Sequence, residues 1–163
     1  MSIDKVREYF RARGIEERII EFDESSATVE LAAAAAHTEP CRIAKTLSFM
    51  LPDGPIVIVM AGDAKIDNKK YKTEFGKKAS MLSAEQAEQL TGHAVGGVCP
   101  FALNEGVRAY LDVSMKRFET VFPAAGSSNS AIELTIPELE EYSGCEKWVD
   151  VCKGWQEAPE DNG

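Results

Sequence analysis

The sequence predicts an α+β fold, a single domain in which a mixed, mostly antiparallel sheet is flanked by helices. Three observations predict it. Strand-like and helix-like segments follow one another irregularly, without the repeated strand–helix unit of a doubly wound fold. Several strands are joined by turns too short to hold a crossover helix, which suits antiparallel neighbours. And 163 residues, 44% of them apolar, make one domain over 1–163, able to bury roughly 70% of the surface its unfolded chain exposes. No internal repeat or interdomain linker interrupts it.

The elements follow in order. Ser2 can cap a first helix that carries Ile3, Val6 and Phe10 on one face and stops at Gly14. Residues 15–22 read as a strand. Ser26 is placed to cap a second helix over 27–36, rich in alanine and broken by Thr38-Glu39-Pro40. Leu47, Phe49 and Leu51 alternate as a strand should, Pro52-Asp53-Gly54-Pro55 is a turn, and Ile56-Val57-Ile58-Val59-Met60 is a buried strand, so the three make a hairpin. Residues 68–76 read as a basic helix. Ser83-Ala84-Glu85-Gln86 is a capping box, starting a helix that ends at Gly92.

A glycine loop follows, Val95-Gly96-Gly97-Val98-Cys99-Pro100. Residues 109–113 read as a strand, 115–121 as helical, 126–130 as a turn and 131–134 as a strand. Thr135-Ile136-Pro137-Glu138 is a second capping box and begins a helix that ends at Gly144. Residues 148–152 form a last short strand, and the polar tail 156–163 is expected to fray.

Composition excludes several classes. The longest apolar runs, 31–36 and 56–61, are far shorter than the roughly 20 residues of a membrane span. The opening dozen residues hold Asp4, Lys5, Arg7, Glu8 and Arg11 and no apolar h-region, so no secretory leader is expected and the cytoplasm is the expected location. A net charge of −9 excludes a basic protein that coats nucleic acid. The charge is unevenly placed, however. Residues 65–78 hold six lysines against Asp67 and Glu74, whereas residues 119–163 hold ten acids and two lysines. The basic stretch is either a solvated helix face or a local seat for a phosphate backbone.

Cys41, Cys99, Cys145 and Cys152 show no C-x-x-C spacing, and with only His37 and His93 available no zinc pattern exists. Free thiols and no metal or cofactor are expected. Two segments could carry chemistry. Lys45 enters an apolar strand, where its ammonium either reaches the rim or faces a cleft. The paired glycines Gly96 and Gly97 let backbone approach a ligand and aim N–H groups at a carbonyl, unless the loop is an ordinary turn. Cys99 has no nameable partner base, which argues against a nucleophile. His93 reads as a satisfied loop histidine and Asp112 as a cap.

These pieces resemble the YbaK and prolyl-tRNA-synthetase-associated editing domains, which hydrolyse misacylated tRNA. The matching stretches are Thr28-Val29-Glu30, Arg42-Ile43-Ala44-Lys45-Thr46-Leu47, Gly62-Asp63-Ala64-Lys65-Ile66-Asp67, Thr91-Gly92-His93-Ala94-Val95-Gly96-Gly97-Val98-Cys99-Pro100-Phe101 and Ala131-Ile132-Glu133-Leu134-Thr135, in order from about residue 3 to residue 150. The resemblance implies a partly closed sheet and a metal-free ester hydrolase acting in trans on tRNA-Pro or tRNA-Cys carrying a small amino acid. Lys45, Gly96 and Gly97 are then catalytic. Thr28, Thr46, Val98, Cys99, Pro100, Ser128 and Asn129 bind substrate, and Lys65, Lys69, Lys70 and Lys72 bind tRNA. The implied partners are the aminoacyl-tRNA 3′ end and an aminoacyl-tRNA synthetase, with no DNA and no membrane. The sequence departs from the cysteinyl-tRNA deacylase subgroup, which carries an aspartate where Ala131 stands and a basic pair in the preceding turn. A pocket without that acid suits alanine, serine, threonine or another small residue. A non-catalytic tRNA- or synthetase-binding module of the same fold is the alternative reading.

Overall fold

The computed structural model describes residues 2–155; the tail expected to fray, 156–163, lies outside the described residues. Helix α1 (Ser2–Arg11) buries Val6 and Phe10, as its periodicity predicts. Ser2 is already helical here, and its hydroxyl reaches His93 and the Gly126 carbonyl rather than capping. A 3₁₀ turn at Glu16–Arg18 takes up much of the expected first strand, leaving β1 (Ile19–Glu21). Helix α2 (Val29–Ala36) starts two residues later than Ser26 would place it. Thr28 is its cap, accepting from Leu31 N–H at 3.1 Å, whereas Ser26 N–H donates to Ser128 O at 2.6 Å.

Strands β2 (Ile43–Leu51) and β3 (Gly54–Ala61) form the expected hairpin around Pro52-Asp53. A two-residue strand, β4 (Lys65–Ile66), follows, too short to carry any period. Asp67 caps helix α3 (Asn68–Phe75), and the Ser83–Gln86 capping box opens α4 (Ala84–Thr91). Strand β5 (Arg108–Asp112) ends at a carboxylate buried between two N–H donors, Ser114 and Val151, each at 2.9 Å. The region expected to be helical at 115–121 is instead a 3₁₀ turn, Val113–Arg117, and then β6 (Thr120–Pro123). The β-branched and aromatic residues of β6 pack better on a sheet than in a helical turn. After β7 (Ser130–Ile132) and β8 (Leu134–Thr135) comes α5 (Ile136–Ser143), then β9 (Trp148–Val149) and β10 (Cys152–Lys153) in place of one continuous strand.

The main sheet has the order β8-β6-β2-β3-β5-β9. The long β2–β3 pairing and β8–β6 are antiparallel; β6–β2, β3–β5 and β5–β9 are parallel. Two antiparallel ribbons, β1–β7 and β4–β10, complete a single-domain α+β fold with a mixed, curled sheet. Its centre is β3, where Ile56 to Ala61 are fully buried. Among the described residues no helix is long and apolar enough to cross a membrane.

The α5 cap is also an electrostatic joint. Glu138 completes the capping box with Thr135 and accepts a fork from Arg18, at 3.0 and 2.9 Å. The Arg18 hydrogen bond is the main reason its carboxyl is pushed down to about 2. A carboxylate held below its unfolded value contributes stability above that value and loses it as pH falls through the folded one. Thermal melts of Arg18→Ala are therefore expected to show a deficit of about 1 kcal/mol at pH 7, modest because the pair is partly solvated. That deficit should shrink as the pH is lowered toward about 2. A deficit independent of pH would sink the electrostatic account.

Candidate functional site

Strand β2 has β3 along one whole side and only fragments along the other. Ile43 and Ala44 lie beside Phe122 and Pro123 of β6. Five residues on, Phe49 bridges Met81; there Met50 N–H donates to Ser80 O at 2.9 Å and Leu82 N–H donates to Ser48 O at 3.1 Å. Between these contacts the edge of β2 opens on a cavity of about 270 Å³. Thr28 and Ala32 at the start of α2, Gly96 and Val98 after α4, and Ala131 of β7 supply much of the remaining wall.

Lys45 is the sole ionisable side chain on these walls among the described residues. It is half-buried, with Nζ 3.5 Å from the Gly62 carbonyl oxygen. Burial pulls its pKa below the ordinary lysine value, and the nearby Lys65 charge acts in the same direction; Cys152, Asp63 and Glu30 oppose. Asp63 is itself engaged by Arg117 at 2.6 and 3.0 Å. The structure therefore brings a cation to a cleft, resolving the choice between rim and cleft that the sequence leaves open.

The glycine loop reaches the same cleft because its two glycines do different things. Gly96 has φ of +97°, which a side chain resists. Gly97 has an ordinary φ, but a Cβ there would stand 2.7 Å from Ser127 N and 2.8 Å from the Gly126 carbonyl carbon. The loop thus lies directly on the 126–128 turn. Behind it, Cys99, Pro100 and Phe101 are buried and anchor it to the core.

Of the residues expected to act, Lys45, Thr46, Thr28, Gly96 and Val98 line the cavity. Gly97, Cys99, Pro100, Ser128 and Asn129 do not. Cys99 points into the core, its Sγ 3.7 Å from His93 Nε2 and 3.8 Å from Phe101 O, and burial pushes its thiol up to about 12. It neither contacts the cavity nor supplies a thiolate. Asn129 ties down the segment before α2: Phe22 N–H donates to its carbonyl at 2.8 Å, and its Nδ2 donates to Phe22 O at 3.0 Å. Ser128 does the same through its carbonyl to Ser26, so both shape the wall from behind. His93 is buried and satisfied, with Nε2 donating to Phe101 O at 2.7 Å and Nδ1 2.6 Å from Ser2 Oγ. Brief iodoacetamide labelling followed by mass spectrometry is expected to mark the half-buried Cys41 and Cys145 at least about tenfold faster than buried Cys99 and Cys152. Fast labelling of Cys99 would contradict its placement.

The basic surface is partly rearranged. Lys65, Lys69 and Lys72 are exposed, but Lys70 is held by its own chain, donating to Asp150 Oδ1 at 3.1 Å and Cys152 O at 3.0 Å. In its place the fold adds Lys153, directly opposite Lys65 across the β4–β10 ribbon. No local signal marks Lys153, since it lies in the most acidic third of the chain. The apolar floor, where Ala32 and Ile43 meet Phe122, is likewise a product of tertiary packing.

A model of the aminoacyl-tRNA editing domain family matches residues 23–142, which include Lys45 and the glycine loop. YwhH of Bacillus subtilis (strain 168), itself uncharacterised, is 55% identical over 157 residues, 96% of this chain and 100% of that protein. EbsC of Enterococcus faecalis (strain ATCC 700802 / V583), provisionally named a Cys-tRNA(Pro)/Cys-tRNA(Cys) deacylase, is 30% identical over 115 residues, 69% of this chain and 70% of that one. A crystal structure provisionally described as a trans-editing enzyme for prolyl tRNA synthetase superimposes with a TM-score of 0.84 at 28% identity, covering 94% of this chain and 98% of the other.

Proposed function

We propose that this chain, which belongs to the aminoacyl-tRNA editing domain family, is a trans-editing hydrolase that cleaves the ester of tRNA misacylated with a small amino acid. The observation that carries the reading is the shared cavity: the Lys45 ammonium and the Gly96 bend stand on walls of one cleft. YwhH and EbsC, similar over most of their own length, support action in trans, and the names of EbsC and of the crystallised neighbour point to tRNA-Pro or tRNA-Cys.

The chemistry follows from what the walls offer. Attack of water on an aminoacyl ester places negative charge on the carbonyl oxygen. N–H groups of the 96–98 backbone are suited to stabilise that charge in a largely apolar cavity, where fixed dipoles act more strongly than in water. The Lys45 ammonium holds the terminal nucleotide phosphate or adds to the same stabilisation. No histidine, cysteine or carboxylate lines the cavity among the described residues, and the water is oriented by a ribose hydroxyl of the substrate, as the resemblance to the editing domains implies. The tetrahedral intermediate collapses with a proton passing to the ribose oxygen, releasing free amino acid and tRNA. Lys65, Lys69, Lys72 and Lys153 form the exposed basic surface for the acceptor stem, and a synthetase is the partner that supplies the misacylated tRNA.

The test is hydrolysis of alanyl-, seryl-, threonyl- and cysteinyl-tRNA on tRNA-Pro and tRNA-Cys. Turnover of at least one is expected. Steeply salt-dependent tRNA binding with no turnover of any would overturn the enzyme in favour of a binding module.

A further inference from the structure

The gap in the β2 edge leaves one residue facing the cavity with all its hydrogen-bonding groups open. Ser48 C=O and Met50 N–H point across this edge to Leu82 and Ser80. The backbone groups of a strand alternate sides with a period of two, so Thr46 points its N–H and C=O the same way. The ladder with β6 stops at Ala44 and the bridge to Met81 begins at Phe49, so no strand covers Thr46. Neither group has a hydrogen bond outside the sheet ladders among the described residues. Thr46 Oγ1 is buried and also lacks a partner. The other such atoms described, on Thr38, Tyr71 and Trp155, belong to residues that do not line the cavity. A buried polar atom without a partner is unfavourable, so a ligand atom that meets it is favoured.

The remaining wall narrows what that ligand must offer. An aminoacyl ester brings an α-ammonium, yet no carboxylate lines the cavity and the one charge there is the like-signed Lys45. Neutral oxygens must therefore receive the ammonium. The candidates are the wall hydroxyls, of which Thr28 accepts from Leu31 N–H and Ser26 and Ser130 donate to Ser128 O and Ser127 O at 3.3 and 3.4 Å, the Ser48 hydroxyl, and the Thr46 carbonyl on the open strand edge.

We propose that the aminoacyl group docks on Thr46 as a one-residue strand, giving an ammonium hydrogen to Thr46 C=O and taking the Thr46 N–H on its ester carbonyl. This deepens the proposed function, on which it rests. Residues that exchange both bonds in an antiparallel pair carry their side chains on the same face of the sheet, about 5 Å apart. The substrate side chain therefore lies on the Thr46 side-chain face, and a hydroxyl or thiol one carbon out finds a partner in Oγ1 once the Thr46 side chain turns its buried hydroxyl toward the cavity. The site accordingly favours seryl, threonyl or cysteinyl esters over the alanyl ester, whose methyl leaves the Thr46 hydroxyl unpaired.

Two measurements test the inference separately from the reading beneath it. Amide-linked analogues, 3′-seryl- and 3′-alanylamino-3′-deoxyadenosine and the N-acetyl derivative of each, are titrated into the ¹⁵N-labelled full chain. Free-amine analogues are expected to move the Thr46 amide resonance and to bind about tenfold more tightly than the acetylated ones. Seryl- and alanyl-tRNA hydrolysis is compared in wild type, Thr46→Val and Thr46→Ser. The seryl-to-alanyl ratio of kcat/KM is expected to fall about tenfold in Thr46→Val and to recover in Thr46→Ser. A Thr46 amide unmoved by the free-amine analogues, equal binding of acetylated and free amines, or a ratio unchanged in Thr46→Val overturns the inference even where deacylation proceeds. The expected titration without any deacylation upholds Thr46 as receptor and removes the catalytic reading instead.

Discussion

Lys45→Met is expected to lose about 10²–10³-fold in deacylation rate while melting no earlier than the wild type. The two halves of that result come from one fact, a half-buried ammonium with a weak local partner. Its hydrogen bond among the described residues is the 3.5 Å contact to Gly62 O. Burial is the largest influence on its pKa and lowers it. A lysine whose folded pKa is below its unfolded value makes the fold more stable as pH rises from the first value toward the second. At neutral pH the charged form is the penalised one. Methionine has similar length and no charge, so it removes the penalty and keeps the packing. A residue that opposes stability and faces a cavity is the signature of function rather than architecture. Lys45→Arg separates charge from shape. Arginine keeps a cation at every accessible pH, so the alkaline fall in rate expected below the ordinary lysine range should disappear from its profile, whatever happens to the maximum rate. Deacylation by Lys45→Met as fast as wild type, measured on a preparation with an intact melt, would remove Lys45 from the chemistry.

How much of this was legible follows from the range of each signal. The hairpin of β2 and β3 and both capping boxes were readable because their causes are local: a two-residue turn, and a hydroxyl facing an N–H three residues on. The helix the sequence predicts over 115–121 gives way after Arg117 because the stretch leaves the 3₁₀ turn to pair with Thr135 and Leu134, which no local pattern announces. Lys45 and the glycine loop stood out as chemically unusual residues in their own segments. That they share a cavity depends on β2 losing its neighbour between Ala44 and Ser48 and on the 126–128 turn holding the loop, contacts made across about 80 and about 30 residues of chain respectively. The family resemblance implies that Cys99 binds substrate, yet the loop turns Val98 to the cavity and Cys99 to the core. Lys70 and Lys153 exchanged places for the same reason: one cation found a carboxylate from the acidic end, and another was delivered opposite Lys65 by a two-residue ribbon.

Gly97→Ala is expected to damage the site strongly, although Gly97 does not line it. Its φ is ordinary, so alanine meets no conformational objection; the conflict is wholly steric and is with backbone. A Cβ 2.7 Å from Ser127 N and 2.8 Å from Gly126 C cannot be relieved by turning a side chain, so the loop or the 126–128 turn must move. Overpacking of this kind is expected to destabilise by about 1–3 kcal/mol. The displacement passes to both walls, because Gly96 and Val98 flank the site of the clash and Ser128 fixes Ser26 at the start of the α2 wall. Shifting the N–H groups by about 1 Å from the developing oxyanion is expected to lower kcat about 10²-fold. Gly106→Ala is the control that isolates the cause. Gly106 has φ of +91° and nothing within 4 Å of the added carbon, so alanine there brings about 1–2 kcal/mol of backbone strain and no displacement of either wall. Equal loss of melting temperature in the two variants, with activity lost at 97 and kept at 106, is the outcome that ties catalysis to the seat of the loop on the turn. Full activity in Gly97→Ala would mean that the backbone from Gly96 to Val98 takes no part in the reaction.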